Sequence, residues 1–466
     1  MSVSLVPVRT RLAYAAPGLA FALIGLPIYV HLPKFYGDVL GVDLALLGLV
    51  ILVSRVWDAV LDPAVGFVSD RTQTRLGRRR PFILAAAVPL AAAMALLLAP
   101  PLWATGPAGA WWFATCLGVA FLAWTTAQIP HAALGAELTT DYHARTGVFA
   151  LRDGLWILGT LVAAAAPGLA RWWQGLPATG AEREVFGALA PVCAVVILGT
   201  LTWCGLAVPE PAAPPRIAST PVSATRDAWA NAPFRILLIA YGIGALGAAM
   251  PGTLILYYVE HVLGAPQFAE LFLGLYFLSG FLCLPAWTML ARRVGKKRAW
   301  LTAMAVSVSA FLGAALLGPG DVAAYATICV VSGLGFGAGL VLPASMVADV
   351  VDLDELRAGS RREGLYYGLW SIVTKLSAAL GAGLALPALK WAGYTAGAAQ
   401  SEAVVWALRL LYAAVPCACY GAAWFVARRF PLDESAHRAI RTQLQQGSAR
   451  VLVQDARPDP ASLRRS

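Results

Sequence analysis

The sequence predicts an all-α membrane protein, twelve transmembrane helices in two six-helix bundles. Three observations carry that prediction. Apolar residues make up 59% of the 466 and charged residues only 13%, where a soluble globular chain has about a quarter of its residues charged. Apolar stretches of about 20 residues, each sufficient to cross ~30 Å of hydrocarbon, recur from end to end. Lys and Arg gather between these stretches on alternating sides, and a Pro-rich segment divides them into two sets of six.

Bounded by charge or by Pro and Gly clusters, the stretches run at 12–37, 43–69, 81–103, 107–137, 147–172 and 186–208, then at 234–260, 267–291, 299–318, 321–350, 364–390 and 402–428. The first follows two basic residues as a signal peptide would, but it continues to Val30 without a convincing cleavage site, so it reads as a retained helix. Segment Pro209–Pro233, rich in Pro, Ala, Ser and Thr, reads as a linker. The expected domains are therefore residues 1–209, a cytoplasmic linker 210–233, a second bundle 234–430 and a polar tail 431–466. The halves share a feature: GRRRP (Gly77–Pro81) joins the second and third stretches, and GKKRAW (Gly295–Trp300) joins the eighth and ninth. Parallel six-helix repeats are the layout of the major facilitator architecture, in which a solute sits near the midplane between the halves.

A net charge of +10 raises the question of nucleic acid. By position, 27 of the 35 Lys and Arg residues fall in the N-terminal lead, in every second loop or in the tail, while Ala99–Ala110 carries no charge. That is the positive-inside pattern, and it places both termini in the cytoplasm. No single folded face collects the charge, so no nucleic-acid partner is expected. The seven Cys residues lie within apolar stretches and read as small hydrophobes. There is no H-E-x-x-H spacing, nucleophile elbow or phosphate-binding loop, so no catalytic residue is expected and an ATP-driven pump is excluded with the enzymes.

An Asp at the bilayer centre costs roughly 2.5–3.5 kcal/mol on insertion scales, so a charge there reads as functional. In SRVWDAVLDP, Arg55, Asp58 and Asp62 are spaced three and four apart, on one face of the second helix. Pro63 cannot donate its backbone hydrogen bond, which frees a carbonyl near Ala59. Two carboxylates and a free carbonyl suit a hard cation such as sodium. They suit proton carriage equally, because two close carboxylates do not both ionise cheaply. The plainer reading is that Arg55 neutralises one Asp and the group fastens helices, but neutralisation alone would not require a second acid. On the fourth helix, Thr125 adds a hydroxyl oxygen and Gln128 lies at similar depth. His131, beside Pro130, reads as a hydrogen-bonded packing residue in preference to a proton relay. Arg152 and Lys375 are isolated cations inside the membrane, candidates for holding solute oxygens or for pairing with Asp58 and Asp62 when the site is empty. For Arg152, snorkelling to the surface together with Asp153 is the competing reading. Tyr29 and Trp370 are among the aromatics that can stack on a sugar ring. At the end of the tenth helix, Asp349, Asp352 and Arg361 read as gate charges or as a solvated run.

Three stretches carry a resemblance: RVWDAVLDPAVGFVSDRTQTRLGRRRPFIL (Arg55–Leu84), IPHAALGAELTTDYHART (Ile129–Thr146) and MVADVVDLDELRAGSRREG (Met346–Gly364). They are similar to the glycoside–pentoside–hexuronide:cation symporters, to which melibiose permease belongs. The resemblance implies a cation site at Asp58, Asp62 and Thr125, with Gln128 where that permease has a further acid. It implies solute contacts at Arg152 and Lys375, and an inner gate at Asp349, Asp352 and Arg361. Galactoside-specific positions depart from the pattern, falling at Ala22, Ala132 and Leu340, while Tyr29 persists.

The expectation is a cation-coupled symporter of a sugar, glycoside or sugar acid, working by alternating access. Asp58, Asp62, Thr125 and Gln128 would bind the cation, with the two Asp as metal ligands if it is sodium. Tyr29, Arg152, Trp370 and Lys375 would meet the solute, and Arg55, Asp349, Asp352 and Arg361 would gate. The alternative is a sodium-linked carrier of lysophospholipid or another amphipath, consistent with the apolar Ala22, Ala132 and Leu340. Apart from the coupling ion, Na+ or H+, no cofactor is expected. The expected partners are the small solute and membrane lipid, for a monomer in a bacterial inner membrane.

Overall fold

The structure is a computed structural model that describes residues 7–138, 142–177, 179–210, 228–358, 363–440 and 442–444. Helices occur at every expected stretch: α1 Val8–Val39, α2 Leu44–Arg71, α3 Arg80–Leu98, α4 Gly106–Glu137, α5 Tyr142–Gln174 and α6 Glu182–Ala207 in the first half. In the second are α7 Ala232–His261, α8 Pro266–Leu282 continued by Leu284–Val294, α9 Lys296–Ala314, α10 Val322–Ala358, α11 Glu363–Trp391 and α12 Glu402–Ala427. Among the described residues ten are long and apolar enough to span a membrane singly, and α8, bent by 42° at its break, makes an eleventh if its two parts form one span. In α9 the first turn is Lys296, Lys297 and Arg298, which lowers the apolarity of a 19-residue helix. Most of the linker expected at 210–233 lies outside the described residues.

Local sequence explains the irregularities. Asp43 opens α2 by accepting from the backbone N–H of Ala45 (2.9 Å) and Leu46 (3.1 Å). In α1 the ladder widens into π turns at Pro27–His31 and Phe35–Val39, where Pro27 and Pro33 withdraw donors. Prolines within helices, Pro63, Pro89, Pro130 and Pro343 among them, survive because neighbouring helices can satisfy the carbonyls they free.

Packing repeats between the halves. In the first, α1 packs on α5 and α6, α3 on α4 and α6, and α2 on α4; in the second, α7 packs on α11 and α12, α9 on α10 and α12, and α8 on α10. Adding six to each helix number maps one set onto the other, the mark of a parallel repeat. The bundles meet through α2 on α11, α5 on α8 and α1 on α7. At the first of these crossings the backbones are close: a Cβ added to Gly48 would lie 2.8 Å from Pro387 Cδ, and one on Gly383 would lie 2.9 Å from Leu52 Cβ.

With an even number of helices, both ends of the double bundle fall on one side. At the side remote from the termini, ion pairs join the halves. Lys34 of α1 meets Glu260 of α7 at 2.5 Å, Arg171 of α5 meets Glu270 of α8 at 2.6 Å, and Asp43 meets Lys390 of α11 at 3.4 Å. The Tyr394 hydroxyl donates to Asp38 at 2.7 Å across the same seam. On the terminal side, Glu137 pairs with Arg78 (3.0 Å) and Arg79 (3.2 Å), and Glu210 accepts from the backbone N–H of Arg78 and Arg79 (2.8 and 3.0 Å). The basic turn is thus tied back onto its own bundle.

Candidate cation and solute site

Midway along the helices, α2 presents Arg55, Asp58 and Asp62 on the face turned to α4 and α11. The expected spacing brings them together, and burial makes the arrangement consequential: Asp58 is 2% exposed. Its Oδ2 accepts from Arg55 Nη1 at 2.9 Å and lies 3.0 Å from Lys375 Nζ, while its Oδ1 accepts from the Thr125 hydroxyl. Asp62 Oδ2 accepts from Lys375 Nζ at 2.5 Å, and its Oδ1 is buried without a hydrogen-bond partner. Arg55 also donates through Nε to the Tyr29 hydroxyl, and its guanidinium faces the rings of Phe121 (4.3 Å) and Trp124 (5.4 Å). Two cations and two carboxylates therefore neutralise one another. The orphaned Asp62 Oδ1 is a vacant acceptor within this group, and an unmet buried acceptor is costly.

Lys375, expected either to hold solute oxygens or to pair with Asp58 and Asp62, pairs with the carboxylates and does not line the solute cavity. Arg55, expected at a gate, belongs to this mid-helix cluster. Gln128 is half-buried on α4 and makes no hydrogen bond to either carboxylate among the described residues. Arg152 pairs with Asp153 at 2.7 Å and leans over Phe149 at 4.7 Å, and it does not line the central cavity. Trp370 stacks on Tyr241 with ring centres 3.9 Å apart, one layer behind the cavity wall. His131 is 2% exposed, with Nε2 2.7 Å from the Tyr14 carbonyl and its ring stacked on Tyr14, a packing role. Asp349 meets Lys296 at 2.6 Å, and Asp352 meets His437 of the tail at 3.0 Å, both contacts internal to the second half. Arg361 lies outside the described residues.

Beside the charge cluster is a cavity of ≈ 450 Å³ reached by Tyr29, Trp156 and Thr160 from the first half and by Tyr241, Thr374 and many residues of the second. No charged side chain lines it among the described residues. Tyr29 is common to both features: it lines the cavity and accepts from Arg55. Sequence reasoning missed the remote seam of Lys34, Asp38, Glu260 and Tyr394. Its signal was available, since Lys34, Arg171 and Lys390 are basic residues on the side where such residues are scarce.

A double bundle with a charge pair at its centre and a cavity between its halves defines a secondary transporter. The chain belongs to the family described as MFS/sugar transport protein, whose profile matches residues 13–434. The isoprimeverose transporter of Lactiplantibacillus pentosus is 27% identical, covering 90% of this chain and 87% of the relative. The inner membrane symporter YicJ of Escherichia coli K12 is 26% identical over 97% and 98%. The sodium-dependent lysophosphatidylcholine symporter 1-A of Danio rerio is 24% identical over 94% and 88%. A structure of a variant of the nucleoside transporter NupG superposes with a TM-score of 0.66 at 13% identity, covering 90% of this chain and all of that one, which bears on the fold alone. Membership bears out the resemblance to glycoside–pentoside–hexuronide:cation symporters, and these are membrane transporters, not enzymes.

Proposed function

We propose that the chain carries a sugar or glycoside together with one cation, sodium or a proton, and that the cation binds by displacing Lys375 from Asp58 and Asp62. One observation carries this reading: the carboxylates sit on α2 of the first bundle, and the amine that neutralises them comes from α11 of the second. A cation held by Asp58, Asp62 and Thr125 would replace a link between bundles with one inside a single bundle. The halves would then be freer to move, and the charge balance of the site would depend on the ion. Tyr29 supports a coupling role because it touches both the cavity and Arg55. The charge pattern favours cytoplasmic termini, so the seam at Lys34–Glu260 closes the outer side and the site faces inward. The bacterial relatives favour an inner-membrane location.

Uptake of a sugar panel into proteoliposomes, under imposed sodium or pH gradients applied separately, tests the reading. One gradient should drive accumulation in the wild type. Asp62→Asn should abolish accumulation while leaving solute exchange at equilibrium. Uphill accumulation by Asp62→Asn would remove the coupling role. A lysophospholipid is the second reading, favoured by the names of three relatives and by the uncharged cavity wall.

A further inference from the structure

The cavity is lopsided. In the second half it reaches past α7 and α11 to α9 and α12, with Trp300, Met304 and Phe311 of α9 and Tyr412 and Tyr420 of α12 on its wall. Their repeat partners α3 and α6 contribute nothing to it, because that interior is filled by fully buried Leu90, Met94, Leu97 and Phe113. The second half keeps its interior open by using small residues there. A Cβ added to Gly335 would strike Ser307 Oγ at 2.0 Å, and one added to Gly339 would meet nothing within 4 Å, since it projects into the cavity.

The chemistry of this inner arm differs from that of the mouth. Two of its hydroxyls already have partners inside the protein, Tyr412 with Tyr325 at 2.5 Å and Ser332 with the Cys329 carbonyl at 3.3 Å. The Tyr276 hydroxyl of α8 also reaches the space, but most of what faces it is ring face, thioether and methyl. At the mouth, the Tyr29 hydroxyl accepts from Arg55 and so keeps its own proton to donate. The charges nearby, Arg55, Asp58, Asp62 and Lys375, are spent on one another. A solute with a net charge finds no counter-charge on the cavity wall, and one that is polar throughout would leave its hydroxyls unmet in the inner arm.

We infer that the solute is an uncharged glycoside with an apolar aglycone, the sugar at Tyr29, Trp156 and Thr374 and the aglycone in the arm between α8, α9, α10 and α12. The inference rests on the sugar reading above and adds a class within it, excluding sugar acids. Filling the arm from Gly339 should remove the aglycone's contribution to affinity.

The test uses the full chain in lipid nanodiscs, free of detergent, with a series of alkyl β-glycosides and the parent free sugar. Wild-type affinity is expected to rise about fourfold per buried methylene until the arm is full. In Gly339→Leu the rise should stop at the shortest chains, so that the ratio of long-chain to methyl glycoside affinity falls toward one. An anionic glucuronide with the same aglycone should bind at least tenfold more weakly. Affinity independent of chain length in the wild type, with free sugars still accumulated, overturns the aglycone arm and leaves the sugar reading standing. An equal rise in Gly339→Leu overturns the location. Chain-length dependence seen only for alkylphosphocholines overturns the uncharged-sugar class and, with it, the sugar reading.

Discussion

Asp58 divides its carboxylate among three donors, Arg55, Lys375 and Thr125, and the last two make different predictions. Thr125→Val removes a hydroxyl bound to a buried charge, a contact worth roughly 1.5–3 kcal/mol. Cation dependence of uptake should shift to about 10- to 100-fold higher concentration, with Thr125→Ser close to wild type. Lys375→Ala leaves two buried carboxylates with one cation between them, and breaking such a pair costs about 3–5 kcal/mol. The variant should melt lower than wild type without the coupling ion and gain more from adding it, because the ion then meets no competitor. A variant that gains less from the ion than wild type does would contradict the displacement mechanism. The spacing of Arg55, Asp58 and Asp62 was legible in the sequence because a helix puts i, i+3 and i+7 on one face. The choice of Lys375 between solute and carboxylate was not, because it depends on how α11 crosses α2, more than three hundred residues away in the chain.

At the scale of a helix, legibility follows the hydrocarbon requirement. A membrane helix must be apolar for its full span, so the twelve stretches were readable and their ends nearly so. Continuation of α10 to Ala358 was not, because its last turns are polar and are held by partners such as Lys296 and His437. The crossing of α2 and α11 depends on Gly48 and Gly383, and Gly383→Val should cost about 1–3 kcal/mol through overpacking, read as a lowered melting temperature. The tail offers a pH test. Asp433 caps the short helix 434–440 by accepting from the Ser435 hydroxyl (2.6 Å) and the Ala436 N–H (2.8 Å). These bonds hold its carboxyl below the ordinary range. A depressed folded value means that the cap stabilises above the unfolded carboxylate value of about 3.9 and is lost as pH falls through the folded one. Hydrogen exchange at 436–440 should accelerate only in that acid window, and Asp433→Ala should exchange at the faster rate throughout.

For the whole molecule, the seam remote from the termini and the pairing at Lys375 both hold the two halves in one relation. The seam escaped the sequence reading because the scarce basic residues that mark it are scattered over α1, α5 and α11, and their acidic partners belong to other segments that meet them only when the bundles close. Its pairs are partly exposed, so each is worth at most about 1 kcal/mol. Glu260→Gln should therefore raise the labelling rate of a thiol placed under the seam by about fivefold or less, with no effect on labelling from the other side. The neutral quartet of Arg55, Lys375, Asp58 and Asp62 has an electrical consequence. Empty, the site carries no net charge through the membrane; with one cation and an uncharged solute aboard, it carries one. Membrane potential then acts on the loaded carrier alone, with about 2.3 kcal/mol per 100 mV. An inside-negative cell would pull the full carrier inward and leave the return of the empty one indifferent to voltage.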